Sequence, residues 1–270
     1  MLDLRARVAD VAMQWDDYYR DPAPTPWEMI DFQDLPSFLR SSELPLDQLT
    51  SMVSVGCGRG RRDLEMLCSI DDFNQPSFSY LGIDISCVGF AQAKQLFEHA
   101  AGRDGQQAAQ EPPLRCRWEF INADIFAFDP GSTFDVVLDW MCLHDIARER
   151  IHDYAAKVMA MANDLLILKT FSEEGSSVGR LNGLSPFIQK EKLSEDDVRA
   201  LFGEQFEILF IQQFEEDLDP NPRPPDGIVA AKRAYVLRRV RAAAGPAIDG
   251  FSHAEKRRQR DTSNEVAKTT

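Results

Sequence analysis

No run of about 18 apolar residues occurs in the chain, so no segment reads as a membrane-spanning helix. A secretory signal needs an uninterrupted apolar stretch, and the opening residues MLDLRARVAD break theirs with charges, so none is expected. Cysteine is sparse and scattered. Cys57, Cys68, Cys87, Cys116 and Cys142 are odd in number and form no Cys-x-x-Cys pair. That argues against a disulfide framework or a zinc cage, and for reduced thiols in a cytoplasmic setting. Internal repeats are absent, and so is the Gly-Lys-Ser/Thr ending of a phosphate-cradling loop. Positive charge is in deficit, with 30 Lys and Arg against 44 Asp and Glu, for a net charge of −14. A field of that sign repels phosphate backbones and makes a nucleic-acid partner unexpected. Two basic runs stand against it: Arg238, Arg239 and Arg241, then Lys256, Arg257, Arg258 and Arg260. They read as a solvated tail, or as an anion-binding or localisation tail.

What is present suits one α/β domain with extensions, or two small domains, in 270 residues that are 44% hydrophobic. Strands are expected at Ser51–Gly56, Ser79–Asp84, Arg117–Asn122, Phe134–Asp139, Asp164–Phe171, Phe206–Phe214 and Ala230–Arg238. Several are continuously apolar, as Leu165-Leu166-Ile167-Leu168 is, which belongs to a sheet covered on both faces. Helices are expected between them, near Arg61–Ser69, Ser86–Ala101, Ala147–Ala162 and Glu195–Phe202, the last opened by a capping box of Ser194 and Asp197. Alternating strand and helix implies a doubly wound, Rossmann-like sheet. The last two strands flank a Pro-rich loop, Asp219–Asp226, with no helix between, so a hairpin places one antiparallel strand in an otherwise parallel seven-stranded sheet. Residues 1–46 form an aromatic-rich extension, expected to pack on the domain as a lid. Residues 47–240 form the main domain, and 241–270, with little apolar content, a disordered tail. The polar stretch Gly102–Pro113 reads as a surface loop or a fraying helix end.

Four elements carry chemistry. The first is the turn Gly56-Cys57-Gly58-Arg59-Gly60 between an apolar strand and a helix, where backbone approaches a ligand closely and free N–H groups face it. Its spacing differs from the Gly-x-Gly-x-x-Gly of dinucleotide sites, because Arg61 stands at the third glycine. The second is Asp84, followed by Ile85 and Ser86, at the end of the next strand. Its carboxylate is suited to two ribose hydroxyls, or to capping the following helix. The third is Asn122-Ala123-Asp124-Ile125-Phe126: Asp124 accepts from an adenine amine with Ile125 against the base, or makes a plain Asx turn. The fourth is Asp139-Trp140-Met141-Cys142-Leu143-His144-Asp145, at the carboxyl edge where doubly wound sheets bind ligands. There Asp139 ends the strand, and Trp140, Met141 and His144 are expected to line the cleft. His144, whose ordinary pKa lies near neutrality, is the candidate general base, or else a helix cap or an exposed residue.

In this order and spacing the four elements resemble the motifs of the class I S-adenosylmethionine-dependent methyltransferases over roughly residues 47–240. The resemblance implies that cofactor and its binding by Gly56, Cys57, Gly58, Gly60, Asp84, Ile85, Asp124, Ile125, Asp139 and Trp140, with no metal. Many members of the family carry an acidic residue where this chain has Ser54. A narrower set, Trp15 with Tyr18-Tyr19, Thr25-Pro26-Trp27-Glu28, Asp139 to His144, and Leu168-Lys169-Thr170-Phe171-Ser172, resembles the thiopurine/thiol, halide and tellurite methyltransferase group. That similarity implies a small, soft acceptor such as a thiol, with Trp27 near the cofactor or acceptor, or serving only as an aromatic anchor. Arg180, in a Gly- and Ser-rich loop, is a candidate to hold an acidic acceptor. No Asn/Asp-Pro-Pro-Tyr/Phe motif follows the fourth strand, which disfavours a nucleobase amine. A hydroxyl or amine of a specialised metabolite, a protein acceptor, and a non-catalytic cofactor-binding module remain as alternatives.

Overall fold

The apolar strand runs of the sequence form one seven-stranded sheet in the computed structural model, which describes residues 2–21, 34–102, 113–172, 192–217 and 229–240. All the elements named below belong to the unit Met1–Arg239. The strands are β1 (Ser51–Val55), β2 (Ser79–Asp84), β3 (Arg117–Asn122), β4 (Phe134–Trp140), β5 (Ala162–Phe171), β6 (Phe206–Asp217) and β7 (Val229–Arg239), in spatial order β3-β2-β1-β4-β5-β7-β6. The first five are parallel, while β7 runs antiparallel to both β5 and β6. This is the doubly wound sheet with one reversed strand that the sequence implies. Order reverses at β1, which pairs with both β2 and β4, and this opens a crevice at the carboxyl ends of the strands. The Pro-rich loop, most of Gly102–Pro113 and the tail 241–270 lie outside the described residues.

Strand periodicity explains why those runs lack polar alternation. Val136, Leu138, Leu165, Ile167 and Val236 point into one core, and Val137, Leu166, Leu168, Tyr235 and Leu237 into the other. Both faces of the sheet are covered, so successive residues are all buried. Helices α3 (Arg61–Ser69) and α4 (Cys87–Ala100) contribute to the first core, and α5 (Ile151–Met161) and α6 (Glu195–Phe202) to the second. The capping box of α6 is formed: Ser194 Oγ accepts from Asp197 N at 3.1 Å, and Asp197 Oδ2 accepts from Ser194 N at 2.8 Å. One expected helix is shorter. Residues Arg148–Arg150 form a 3₁₀ turn before α5, and β5 already begins at Ala162.

The amino-terminal extension divides in two. Helix α2 (Asp34–Ser41) buries Leu35, Phe38 and Leu39 completely in the first core. Phe38 sits 5.6 Å from the Trp140 ring and 5.4 Å from Phe210. Lys169 on β5, with no solvent exposure, places Nζ 3.0 Å from Asp34 Oδ2 and 4.3 Å from the Phe214 ring centroid. An ion pair this deep adds little net stability, but breaking one side strands a charge, so it fixes where α2 sits. Helix α1 (Leu2–Arg20) instead packs on α4.

Candidate functional site

A cavity of about 700 Å³ opens at that edge, within the range of small-molecule sites. One wall comes from the β1–β2–β3 side. Gly58 and Gly60 have φ of +55° and +69°, the left-handed region that favours glycine, which turns the chain sharply from β1 into α3. A methyl group added to Gly58 would fall 2.6 Å from Tyr19 Oη, so the backbone here is approached as closely as a hydrogen allows. Asp84 ties the turn in place: Gly58 N donates to Oδ2 at 2.7 Å and Ser86 N to Oδ1 at 2.8 Å. Each oxygen keeps acceptor capacity, and Asp84 faces the cavity. Burial pushes its carboxyl up to about 6, against the lowering effect of the Ser86 and Gly58 bonds. The cap of α4 is Ser86, whose Oγ accepts from Gly89 N at 3.0 Å. Asp124 makes the Asx turn, accepting from Phe126 N at 3.0 Å, and also lines the cavity with Ile85 and Ile125.

The opposite wall comes from β4, β5 and β7. Trp140, Met141 and His144 line it, joined by Phe171 and Lys232. Met141 has φ of +82°, a strained backbone for a residue with a side chain, held by its N–H donating to Lys169 O at 3.0 Å. His144 lies in the 3₁₀ turn Leu143–Asp145 and is 2% exposed, which removes the reading of it as a surface residue. Its Nε2 is 3.4 Å from Asp145 Oδ2, and its ring stands edge-on to Phe171 with centroids 4.7 Å apart. Asp139 is absent from the cavity wall. Its carboxylate is spent beneath the turn, accepting from Tyr154 Oη and Cys142 N at 2.7 Å each and from Leu143 N at 3.1 Å. Burial nevertheless pushes the Asp139 carboxyl up to about 6.

Helix α1 contributes Val8, Val11, Trp15 and Tyr19 to the cavity lining. Trp15 and Tyr19 stack with centroids 5.8 Å apart, and both face the cavity. Asp16 anchors the helix to α4, accepting from Ser86 Oγ at 2.6 Å, Cys87 Sγ at 3.1 Å and Val88 N at 3.1 Å. Burial alone would raise the Asp16 carboxyl, but these bonds prevail and hold it below the usual range. Among the described residues no three His, Cys, Asp or Glu side chains cluster to hold a metal, and no helix is long and apolar enough to cross a membrane. Trp27 and Arg180 lie outside the described residues.

No family model matches the chain, and no curated protein matches its sequence. Solved structures do. A protein of echinomycin biosynthesis, solved in connection with converting a disulfide bond into a thioacetal group, is 18% identical with a TM-score of 0.58, over 94% of this chain and 98% of its own. An S-adenosylmethionine-dependent methyltransferase from Anabaena variabilis is 14% identical with a TM-score of 0.57, over 86% of this chain and 95% of its own. The N-methyltransferase NodS from Bradyrhizobium japonicum, in complex with S-adenosyl-L-homocysteine, is 12% identical with a TM-score of 0.56, over 84% of this chain and 100% of its own. The chain has the fold of S-adenosylmethionine-dependent methyltransferases. At such identities the likeness is one of architecture.

Within that methyltransferase fold the residues present suit an adenosyl group. The Gly58 cradle admits no side chain, the carboxylates of Asp84 and Asp124 are acceptors for hydroxyl and amine donors, and Ile85 and Ile125 offer apolar surface to a flat ring. The acidic residue missing at Ser54 is supplied from α3. Asp63, 4% exposed, accepts from Ser54 Oγ at 3.1 Å and from Tyr80 Oη at 2.7 Å, and it faces the cavity behind the turn. Burial pushes its carboxyl up to about 6. Sequence reasoning passed over Asp63, although an acid among the apolar positions of α3 is a signal. It also passed over Lys232, a buried cation in β7 that lines the cavity, and the closeness of Tyr19 to Gly58, which no local pattern announces.

Proposed function

We propose that the protein transfers a methyl group from S-adenosylmethionine to a small molecule, with a thiol or another soft nucleophile as acceptor. The observation that carries this reading is the glycine turn locked by Asp84, with both facing one cavity at the carboxyl edge of the sheet. When bound, the cofactor supplies the electrophilic methyl group, so the protein's own work is binding, alignment and exclusion of water. Asp84 holds the ribose and Asp124 the adenine amine, with Ile85 and Ile125 against the base. Gly56, Cys57, Gly58 and Gly60 lie along the remainder of the cofactor, and Trp140 borders it from the facing wall. Asp139 acts at one remove, shaping the turn that carries His144. Helix α1 closes over this wall as a lid, its Asp16 seated on the α4 N-terminus.

Small acceptors suit a roofed cavity of about 700 Å³ and a net charge of −14. NodS, an N-methyltransferase, and a mitomycin 7-O-methyltransferase, 18% identical with a TM-score of 0.52, share the architecture. Sulfur chemistry also features in the echinomycin relative. A second reading, methylation of a hydroxyl, is favoured by one observation: buried His144 faces the cavity beside Asp145, where it is placed to take a proton. Calorimetric titration with S-adenosylhomocysteine tests the cofactor, and micromolar binding is expected. Release of S-adenosylhomocysteine over a panel of thiols, halides, phenols and tRNA tests the acceptor. Activity on tRNA alone would overturn the proposal.

A further inference from the structure

Arg150 is a cation that the cavity wall positions without pairing. It ends the 3₁₀ turn before α5, where its N–H donates to Ala147 O at 2.8 Å, and it lies half-buried along the cavity. Its guanidinium carbon is 3.3 Å from the centroid of the Phe126 ring, close enough for stacking. Among the described residues no hydrogen bond or ion pair takes up its guanidinium N–H groups, although Asp124, Glu149 and Asp153 line the same cavity. Phe126 is itself held in place. Its N–H donates to Asp124 Oδ1 at 3.0 Å, and its ring stands edge-on to buried Tyr154 with centroids 6.2 Å apart. Arg150 follows β4 in sequence, yet the ring beneath it belongs to the β3 side, two residues from the acid assigned to the adenine amine.

We infer that Arg150 is a cofactor-binding residue whose guanidinium stacks on the adenine ring of S-adenosylmethionine, with Phe126 on its other face. The inference rests on the methyltransferase reading of the site. A guanidinium is flat and has two faces, of which Phe126 covers one. A second flat ring against the open face replaces loosely held water with dispersion and cation–π attraction. Adenine is the flat part of the cofactor, and Asp124 with Ile125 brings it to this corner of the cavity. Stacking also leaves the guanidinium edges free for solvent, so binding strands none of their donors. An anionic ligand fits this corner less well. The chain carries a net charge of −14, and three carboxylates line this stretch of the wall, so the surrounding field repels a further negative group. A neutral purine meets no such repulsion, and its electron-rich face suits a cation.

Calorimetry on Arg150→Ala and Arg150→Lys tests this, with the melting temperature of each variant measured separately. S-adenosylhomocysteine affinity should fall about fivefold to thirtyfold in Arg150→Ala. Arg150→Lys should lose most of the same factor, because it keeps the charge without the plane. Two fragments locate the contact. Adenosine carries the base without the homocysteine and should lose the same factor as the whole ligand. S-ribosylhomocysteine carries the homocysteine without the base and should lose less than about twofold. A loss under about twofold for S-adenosylhomocysteine in Arg150→Ala would overturn the inference. So would an equal loss for S-ribosylhomocysteine, or full affinity in Arg150→Lys, which would reduce the residue to a point charge. A raised acceptor KM at unchanged S-adenosylhomocysteine affinity would assign Arg150 to the acceptor and overturn it too. Failure of the wild-type chain to bind S-adenosylhomocysteine would instead remove the methyltransferase reading, and this inference with it.

Discussion

The two walls of the cavity are built by different means. On the β1–β2–β3 side the groups that face a ligand are backbone turns and short acids directly after strands: the Gly56–Gly60 turn, Asp84 and Asp124. Each is local, because the strand end delivers it to the sheet's carboxyl edge and the next helix or turn begins at once. On the β4–β5–β7 side the groups are long side chains of His144, Phe171 and Lys232, brought together from three stretches of sequence by strand pairing. The contrast suits a protein that holds an unchanging cofactor on one side and selects its acceptor on the other. Rigid backbone recognises a fixed ligand, and side chains can be exchanged without disturbing the turn.

The largest effect should come from closing the backbone approach. In Gly58→Val a branched side chain must adopt a left-handed φ and enter the space of Tyr19 Oη, so S-adenosylhomocysteine affinity should fall about a hundredfold or more by calorimetry. Unchanged binding would break the assignment of this wall to the cofactor. His144→Ala sharpens the other side. With a hydroxyl acceptor, loss of a general base should lower kcat about a hundredfold or more, while a thiol ionised at the assay pH should lose less than about threefold. Asp84→Ala removes a charge-assisted bond worth about 1.5–3 kcal/mol, roughly tenfold to over a hundredfold in affinity, with the melting temperature measured separately. A loss under about threefold would reduce Asp84 to a tie for the turn.

Acidity gives a graded version of the same test. Burial sets the Asp84 carboxyl at about 6, and hydroxyl donors stabilise its ionised form, so binding lowers that pKa. The bound state then holds fewer protons than the free state. S-adenosylhomocysteine affinity should therefore weaken as pH falls through about 6, by up to about tenfold per pH unit, and proton release should be visible in buffers of different ionisation enthalpy. The smallest effect belongs to the roof. Asp16→Ala removes the carboxylate at the α4 N-terminus, worth about 1 kcal/mol, so affinity should drop about fivefold. Limited proteolysis should cut α1 faster in this variant, and ligand should protect it less than in the wild type. Equal cutting with and without ligand would show that α1 is not a lid.

The sequence by itself determined the sheet, the reversed strand and the first wall, because all three rest on short-range physics. Strand runs buried on both faces lose their alternation, glycines mark the turn, and an acid after a strand lands at the carboxyl edge whatever the rest of the chain does. Tertiary structure decided what local pattern leaves open. Asp139 sits one strand residue short of the cavity, and Tyr154, 15 residues on, claims its carboxylate, so a residue in the expected place turns away from the ligand side. The carboxylate missing at Ser54 returns from α3 as Asp63, nine positions later. Lys232 reaches the cavity through its register with Phe171, and Tyr19 reaches Gly58 because Asp16 docks α1 on α4 across 70 residues. Such placements depend on strand register and helix docking, which are set by contacts between distant segments and are written in no single stretch of the chain.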